Sequence, residues 1–299
     1  MDLSERFTQR RTWLFGGLVA LLLLVGGAFL VLGDGDDGGL PGLTPLAQAA
    51  ERTAEYPGAR MTMEGGLEMP GSGAQLMMKG QGEYNGKTGL SRITMGTDLP
   101  PEAAAQVRGG RFEIEQVAEA RPGTVVMYMR SAAFGQLPGG AEWMKLDLSE
   151  QVGGQMQSLD PRDQLKMLRS SEDFEELGTE RVRGVPTTRY KATVDQGDEV
   201  ERLRDEGEDS AADFLEKVIE ANDGVDTVGV EAWVARDKTI RRLEMKVPFS
   251  LGAAPAGTSM LMTMELYDFG IEPHIELPDE SDVFDASEIA REELDRLAE

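Results

Sequence analysis

The chain has 299 residues, of which 40% are hydrophobic, so it is long and apolar enough to bury a sizeable core. It carries 54 acidic against 30 basic side chains, a formal net charge of -24, and no basic patch interrupts that field, which excludes nucleic acid and anionic membrane surfaces as partners. With no cysteine, disulfides, a cysteine nucleophile, thiolate metal sites and a lipidated N-terminal cysteine are excluded as well.

In chain order, residues 1–12 form a short N-terminus carrying Arg6, Arg10 and Arg11, followed by an uncharged run at 13–32. About twenty apolar residues suffice to span a bilayer as a helix. The arginines before the run and Asp34, Asp36 and Asp37 after it predict a cytoplasmic N-terminus and an extracytoplasmic body. The run exceeds the apolar region of a cleavable signal and no small-x-small site follows it, so it reads as an uncleaved single-pass anchor in the cell membrane. Residues 33–43 are a flexible Gly/Asp linker, whose acidic residues lack the spacing and terminal Glu of a calcium loop.

Thr44 and Pro45 supply an N-cap and a first-turn proline, predicting a helix to about Tyr56 with Leu46, Ala49, Ala50 and Thr53 on one side. Strands are predicted at 59–69, 75–84, 88–97, 111–118, 123–130 and 142–149, separated by Gly, Pro and Asn turns. A helical stretch is expected from Asp160-Pro161 through 171–177, then a hairpin around Gly184-Val-Pro186 whose second strand runs 187–195. Residues 211–221 read as an amphipathic helix with Phe214, Leu215, Val218 and Ile219 as its stripe. Strands at 228–235, 240–247 and 259–269 follow, and an acidic helix at 286–299 closes the chain. The predicted class is α+β: about 10–11 strands in one strongly curved antiparallel sheet, with two or three helices covering one face, in a single domain spanning 44–285.

Catalytic chemistry is hard to place on this chain. His274 is the only histidine and lies in a proline-bounded extended segment, so a histidine-rich zinc site is impossible and a Ser-His-Asp triad would rest on it alone. No nucleophile elbow, P-loop, dinucleotide fingerprint or zinc-protease motif occurs. The chain is expected not to be an enzyme and to need no cofactor or metal.

The unusual feature is methionine, 16 in all, recurring at alternating strand positions such as Met61 and Met63, Met127 and Met129, and Met260, Met262 and Met264. Strands that pack rigidly favour β-branched residues, whereas unbranched Met adapts to variable apolar partners. The alternation also puts Trp143 with Lys145 and Asp147, opposite Met144, Leu146 and Leu148; Trp233 likewise shares a face with Glu231. Both tryptophans are therefore expected on the solvated face, under the stems of neighbouring Lys and Arg side chains.

The order of Val125-Val-Met-Tyr-Met-Arg130, Gly140-Ala-Glu-Trp-Met-Lys-Leu-Asp-Leu148, Glu176-Leu-Gly-Thr-Glu-Arg-Val-Arg-Gly-Val-Pro-Thr-Thr-Arg-Tyr190, Val230-Glu-Ala-Trp-Val-Ala235, Leu266-Tyr-Asp-Phe-Gly270 and Ile275-Glu-Leu-Pro278 resembles the LolA-like lipid carriers, specifically the LppX/LprG group of actinobacterial envelope lipoproteins. The resemblance spans roughly 46–284 and implies a half-barrel wrapped around helices, with a cavity for acyl lipid or lipoglycan. It also implies an extracytoplasmic role in lipid movement, with a membrane transporter or another envelope protein as partner. The lipobox cysteine typical of the group is missing, and the N-terminal helix takes its place as tether. An acidic insertion at 197–226 is longer than the group's pattern. On this reading Met127, Met129, Met144, Leu146, Leu148, Tyr190, Val194, Phe214, Val218, Met245, Met260, Met262 and Met264 line the cavity. The alternatives are an envelope sensor or interaction module using the same fold, and a structural protein with a packed core.

Overall fold

In the computed structural model of the protein, the described residues are 45–69, 73–98, 111–121, 124–147, 149, 174–205, 227–248 and 257–290, with scattered positions between 209 and 219. Helix α1 (Pro45–Ala54) is followed by β1 (Gly58–Met69), β2 (Gly73–Asn85), β3 (Leu90–Asp98), β4 (Arg111–Arg121), β5 (Thr124–Arg130) and β6 (Trp143–Asp147). Then come β7 (Phe174–Val182), β8 (Val185–Asp195), α2 (Gln196–Asp205), β9 (Thr227–Ala235), β10 (Ile240–Pro248), β11 (Ser259–Tyr267) and β12 (Val283–Asp285). All twelve strands form one sheet in the order β12-β6-β5-β4-β3-β2-β1-β11-β10-β9-β8-β7. Every described pair is antiparallel except β12 with β6. Two meanders are thus joined by β1 and β11.

Side chains on directly paired residues point to the same face, so the register can be followed strand by strand. One row runs Met144, Met129, Gln116, Ile93, Gly82, Met61, Leu266. A second runs Ile114, Met95, Gly80, Met63, Met264, Leu243, Ala232, Tyr190, and a third Met262, Met245, Val230, Ala192, Phe174. The opposite face reads Thr62, Glu265, Arg242, Trp233, Arg189. One face is therefore apolar across the sheet from β6 to β8, and the other is laddered with charge.

A sheet of twelve twisted strands coils instead of staying flat. At β2 two glycines lie close against the neighbouring strand. A side chain at Gly82 would bring its Cβ within 2.6 Å of the Arg92 carbonyl oxygen, and one at Gly80 within 2.7 Å of Met95 Cγ. Both glycines lie in the apolar rows, so β2 and β3 close toward each other on that side.

Helix α1 lies on the apolar face. Leu46, Ala49 and Ala50 join the core formed with Val230, Ala232, Leu243 and Met264, as their 3.6-residue spacing predicts. Thr53, fully buried, donates from Oγ1 to the Ala49 carbonyl (2.6 Å) and accepts from the Ile240 amide (2.9 Å). It thereby pins the helix to β10 where the ladder slips by one residue. Thr53→Val keeps the shape but leaves the Ile240 amide unsatisfied, and the denaturant midpoint should fall by the equivalent of about 1–3 kcal/mol.

Several sequence expectations are corrected. Residues 174–177, expected to be helical, open β7, because the acidic residues Glu175 and Glu176 sit on an exposed edge strand where charge is tolerated. Among the described residues the strands number twelve, one more than the sequence pattern offers, since a three-residue strand, β12, is too short to leave an alternating pattern. The acidic insertion begins as helix α2, with Asp195 accepting from the amides of Gly197 (2.8 Å) and Asp198 (3.3 Å) as its cap. Ala212, Leu215 and Ile219 are helical, as expected of 211–221, and pack with Val200. The closing helix starts at Ser287. The expected anchor at 13–32, the linker at 33–43 and the stretch at 160–173 lie outside the described residues. Among the described residues no helix is long and apolar enough to cross a membrane.

Candidate functional site

The apolar face holds two clusters. Met245, Met260, Met262, Met264 and Val194 are buried in the first, with Tyr190 partly buried against it; Met127, Met129, Met144 and Leu146 are buried in the second. The rows place all of these on the same side. Leu148, Phe214 and Val218 lie outside the described residues. Sequence reasoning left Met95, Ile114 and Leu243 out of the site, although the alternation in β3, β4 and β10 carries them to the same face. Every buried methionine among the described residues, from Met61 on β1 to Met264 on β11, faces this side. Polar side chains on it include the buried Ser91 and Thr97, Gln116, whose Nε2 reaches Met127 Sδ at 3.6 Å, and Tyr190, which stands edge-on to Phe174 with ring centroids 5.9 Å apart. Burial raises the Tyr190 phenol above its ordinary value, reinforced by Glu176.

The tryptophans are on the other face, as their parity predicts. Trp233 is 2% exposed, between the guanidinium groups of Arg189 (5.0 Å) and Arg242 (5.1 Å), and donates from Nε1 to Glu180 (2.9 Å). Trp143 is 8% exposed under Arg130 (4.7 Å), and packs with Val117 and Ile275. Ion pairs extend this surface, including Arg242 with Glu265 (2.6 Å), Arg183 with Glu265 (2.8 Å) and Lys79 with Glu64 (2.9 Å). Such pairs contribute little stability individually, yet they keep cations bound to carboxylates on a strongly acidic protein. His274 is exposed and meets Glu276 Oε1 at 2.9 Å. Among the described residues, no group of three or more His, Cys, Asp or Glu could hold a metal ion.

Glu244 is the strained member of the charged face. Burial raises its carboxyl above the ordinary value, and Glu231, its direct partner on β9, adds to this against the opposing pull of Arg242 and Arg189. Its charged form is disfavoured in the folded chain. Stability from this group is therefore full below the ordinary carboxylate range and is lost as pH rises through the raised value. Glu244→Gln should raise the thermal midpoint at neutral pH and leave it unchanged in acid, where the carboxyl is neutral in both states; circular dichroism melts across pH check this.

No family model matches the chain. A Streptomyces griseus protein described as "Uncharacterized 31.2 kDa protein in rplA-rplJ intergenic region" is 28% identical over 270 residues, covering 83% of this chain and 80% of that one. Among solved structures, the lipoprotein LppX of Mycobacterium tuberculosis is similar at 9% identity and a TM-score of 0.39, over 78% of this chain and 96% of LppX. LprF of Mycobacterium bovis is similar at 11% identity and a TM-score of 0.37, over 79% and 98% of the two chains. A LolA superfamily protein of Nitrosomonas europaea is similar at 10% identity and a TM-score of 0.27, over 79% and 94%.

Proposed function

We propose that this chain is a membrane-anchored extracytoplasmic protein that holds or transfers acyl lipid against the apolar face of its sheet. The observation that carries this reading is the cross-strand alignment of the buried methionines on one face. Methionine adapts its shape to a flexible apolar partner, and a core built only for rigidity would place branched residues there. Burying one acyl chain contributes about 0.8 kcal/mol per methylene, so a chain of about fourteen carbons supplies on the order of 10 kcal/mol before ordering costs. Binding then needs no ionic headgroup contact. The apolar run at 13–32, with arginines before it, supports a tether that leaves residues 44–285 outside the membrane. The motif resemblance supports a lipid or lipoglycan ligand and an envelope partner that delivers or receives it.

Photoactivatable palmitate added to membranes containing the full-length chain tests this. Adducts should appear in the peptides carrying Thr124–Arg130 and Ser259–Tyr267. Label confined to residues 13–32 would contradict the reading, because it would report only the surrounding bilayer. A stoichiometric protein crosslink without lipid label would favour a sensor instead.

A further inference from the structure

After β11 the chain runs back over the charged face. Asn85 Nδ2 donates to the Pro273 carbonyl (3.0 Å), Lys87 pairs with Glu272 (2.6 Å), and Ile275 is buried against Val117 and Trp143. Past Leu277, which is 39% exposed, and Pro278, the chain reaches the sheet edge. There β12 pairs in parallel with β6, and each side of this short strand takes part in a different core. Val283 packs with Trp143 on the charged face, while Phe284, in register with Met144, packs on the methionine cluster of the apolar face. Ala286 and Ala290 then turn onto that same cluster beside Met127, Met144 and Leu146. One continuous strap therefore passes from one face of the sheet, around its edge, to the other.

The two halves of the strap are held by different kinds of contact. Upstream, a buried isoleucine and an asparagine bond fix it. Downstream, the hold consists of three residues of parallel pairing, the half-buried Val283 and Phe284, two alanines, an exposed Lys145–Asp285 pair (3.2 Å), and bonds from the Glu142 amide to the Asp282 carbonyl (3.0 Å), from the Ala286 amide to the Lys145 carbonyl (2.9 Å) and from the Asp147 amide to Ser287 Oγ (2.8 Å). Parallel pairing is the weaker ladder, and short edge strands open first. We infer that β12 and the turn after it form a door: acyl chains enter and leave the apolar face at the β6 edge when this part of the strap lifts, hinged near Leu277 and Pro278. The inference rests on the proposed lipid binding and adds its route.

The cysteine-free chain allows a clean test. Lys145 and Asp285 are register partners, and neighbouring strands place Cα atoms within disulfide range. Full-length Lys145→Cys/Asp285→Cys protein in phosphatidylcholine vesicles is given a fluorescent palmitate analogue, and uptake is followed with the disulfide formed and then reduced. Oxidation should slow uptake by about tenfold or more, as expected when a local opening is blocked, and reduction should restore it. Equal rates in both states would overturn the door. No uptake in either state would overturn the lipid reading itself. Hydrogen exchange on the unmodified chain gives a readout without lipid: the Asp147 and Ala286 amides should exchange well ahead of the β4–β5 ladder, and equal protection would also overturn the door.

Discussion

Met264→Asp should lower stability by about 3–5 kcal/mol at neutral pH, the cost of a buried charge with no partner. Met264 is 1% exposed and sits mid-row between Met63 and Leu243, in a stretch where every register neighbour is apolar. Set against a total of about 5–15 kcal/mol for an ordinary domain, that loss leaves much of the protein unfolded. Lowering the pH should restore part of it, because the neutral carboxyl costs far less to bury. Met264→Leu conserves volume and polarity and should cost less than about 1.5 kcal/mol. Urea titrations of the two variants at neutral and acid pH separate burial of charge from loss of shape. Equal midpoints for Asp and Leu would mean that this side chain faces water.

Gly82→Ala should cost at least the upper end of the about 1–3 kcal/mol usual for overpacking. The new methyl would lie 2.6 Å from the Arg92 carbonyl oxygen and 2.9 Å from Ile93 Cγ1, and the backbone contact cannot be relieved by a rotamer change. β2 and β3 would have to separate on the apolar side. Gly65→Ala is the control. Its methyl would find nothing nearer than the Leu261 carbonyl oxygen at 3.8 Å, an ordinary contact, so its thermal midpoint should stay close to that of the parent. Similar losses for both variants would show that close approach does not set the cost.

Much of this sheet was legible because its period is two. The alternation of Met127 and Met129, or of Met260, Met262 and Met264, assigned each side chain to a face before any partner strand was known, and Trp143 and Trp233 fell on the opposite face for the same reason. The ladder slip at Ile240 to Arg242 lies beside Trp233 but on β10, so it leaves that assignment intact. What sequence could not supply was anything set by pairing. The role of the glycines in β2 emerges only opposite Met95 and Ile93. Residues 174–177 read as the end of a helix because acidic residues at an edge strand imitate a helical surface. β12 owes its existence to β6. Three residues have no period to read.

The central claim is that the methionine face binds acyl lipid. Full-length protein and its Met262→Trp variant, purified side by side from membranes of one expression host, should be extracted with organic solvent and the extracts compared by mass spectrometry. Met262 is 4% exposed at the β11 end of the third row, where, on the proposed reading, an indole would take the place of an acyl chain. The parent should release a defined lipid species near one per chain, and the variant, folded by circular dichroism, should release little of it. Identical extracts from the two proteins, or a parent that releases only bulk membrane lipid in bulk proportions, would contradict the account.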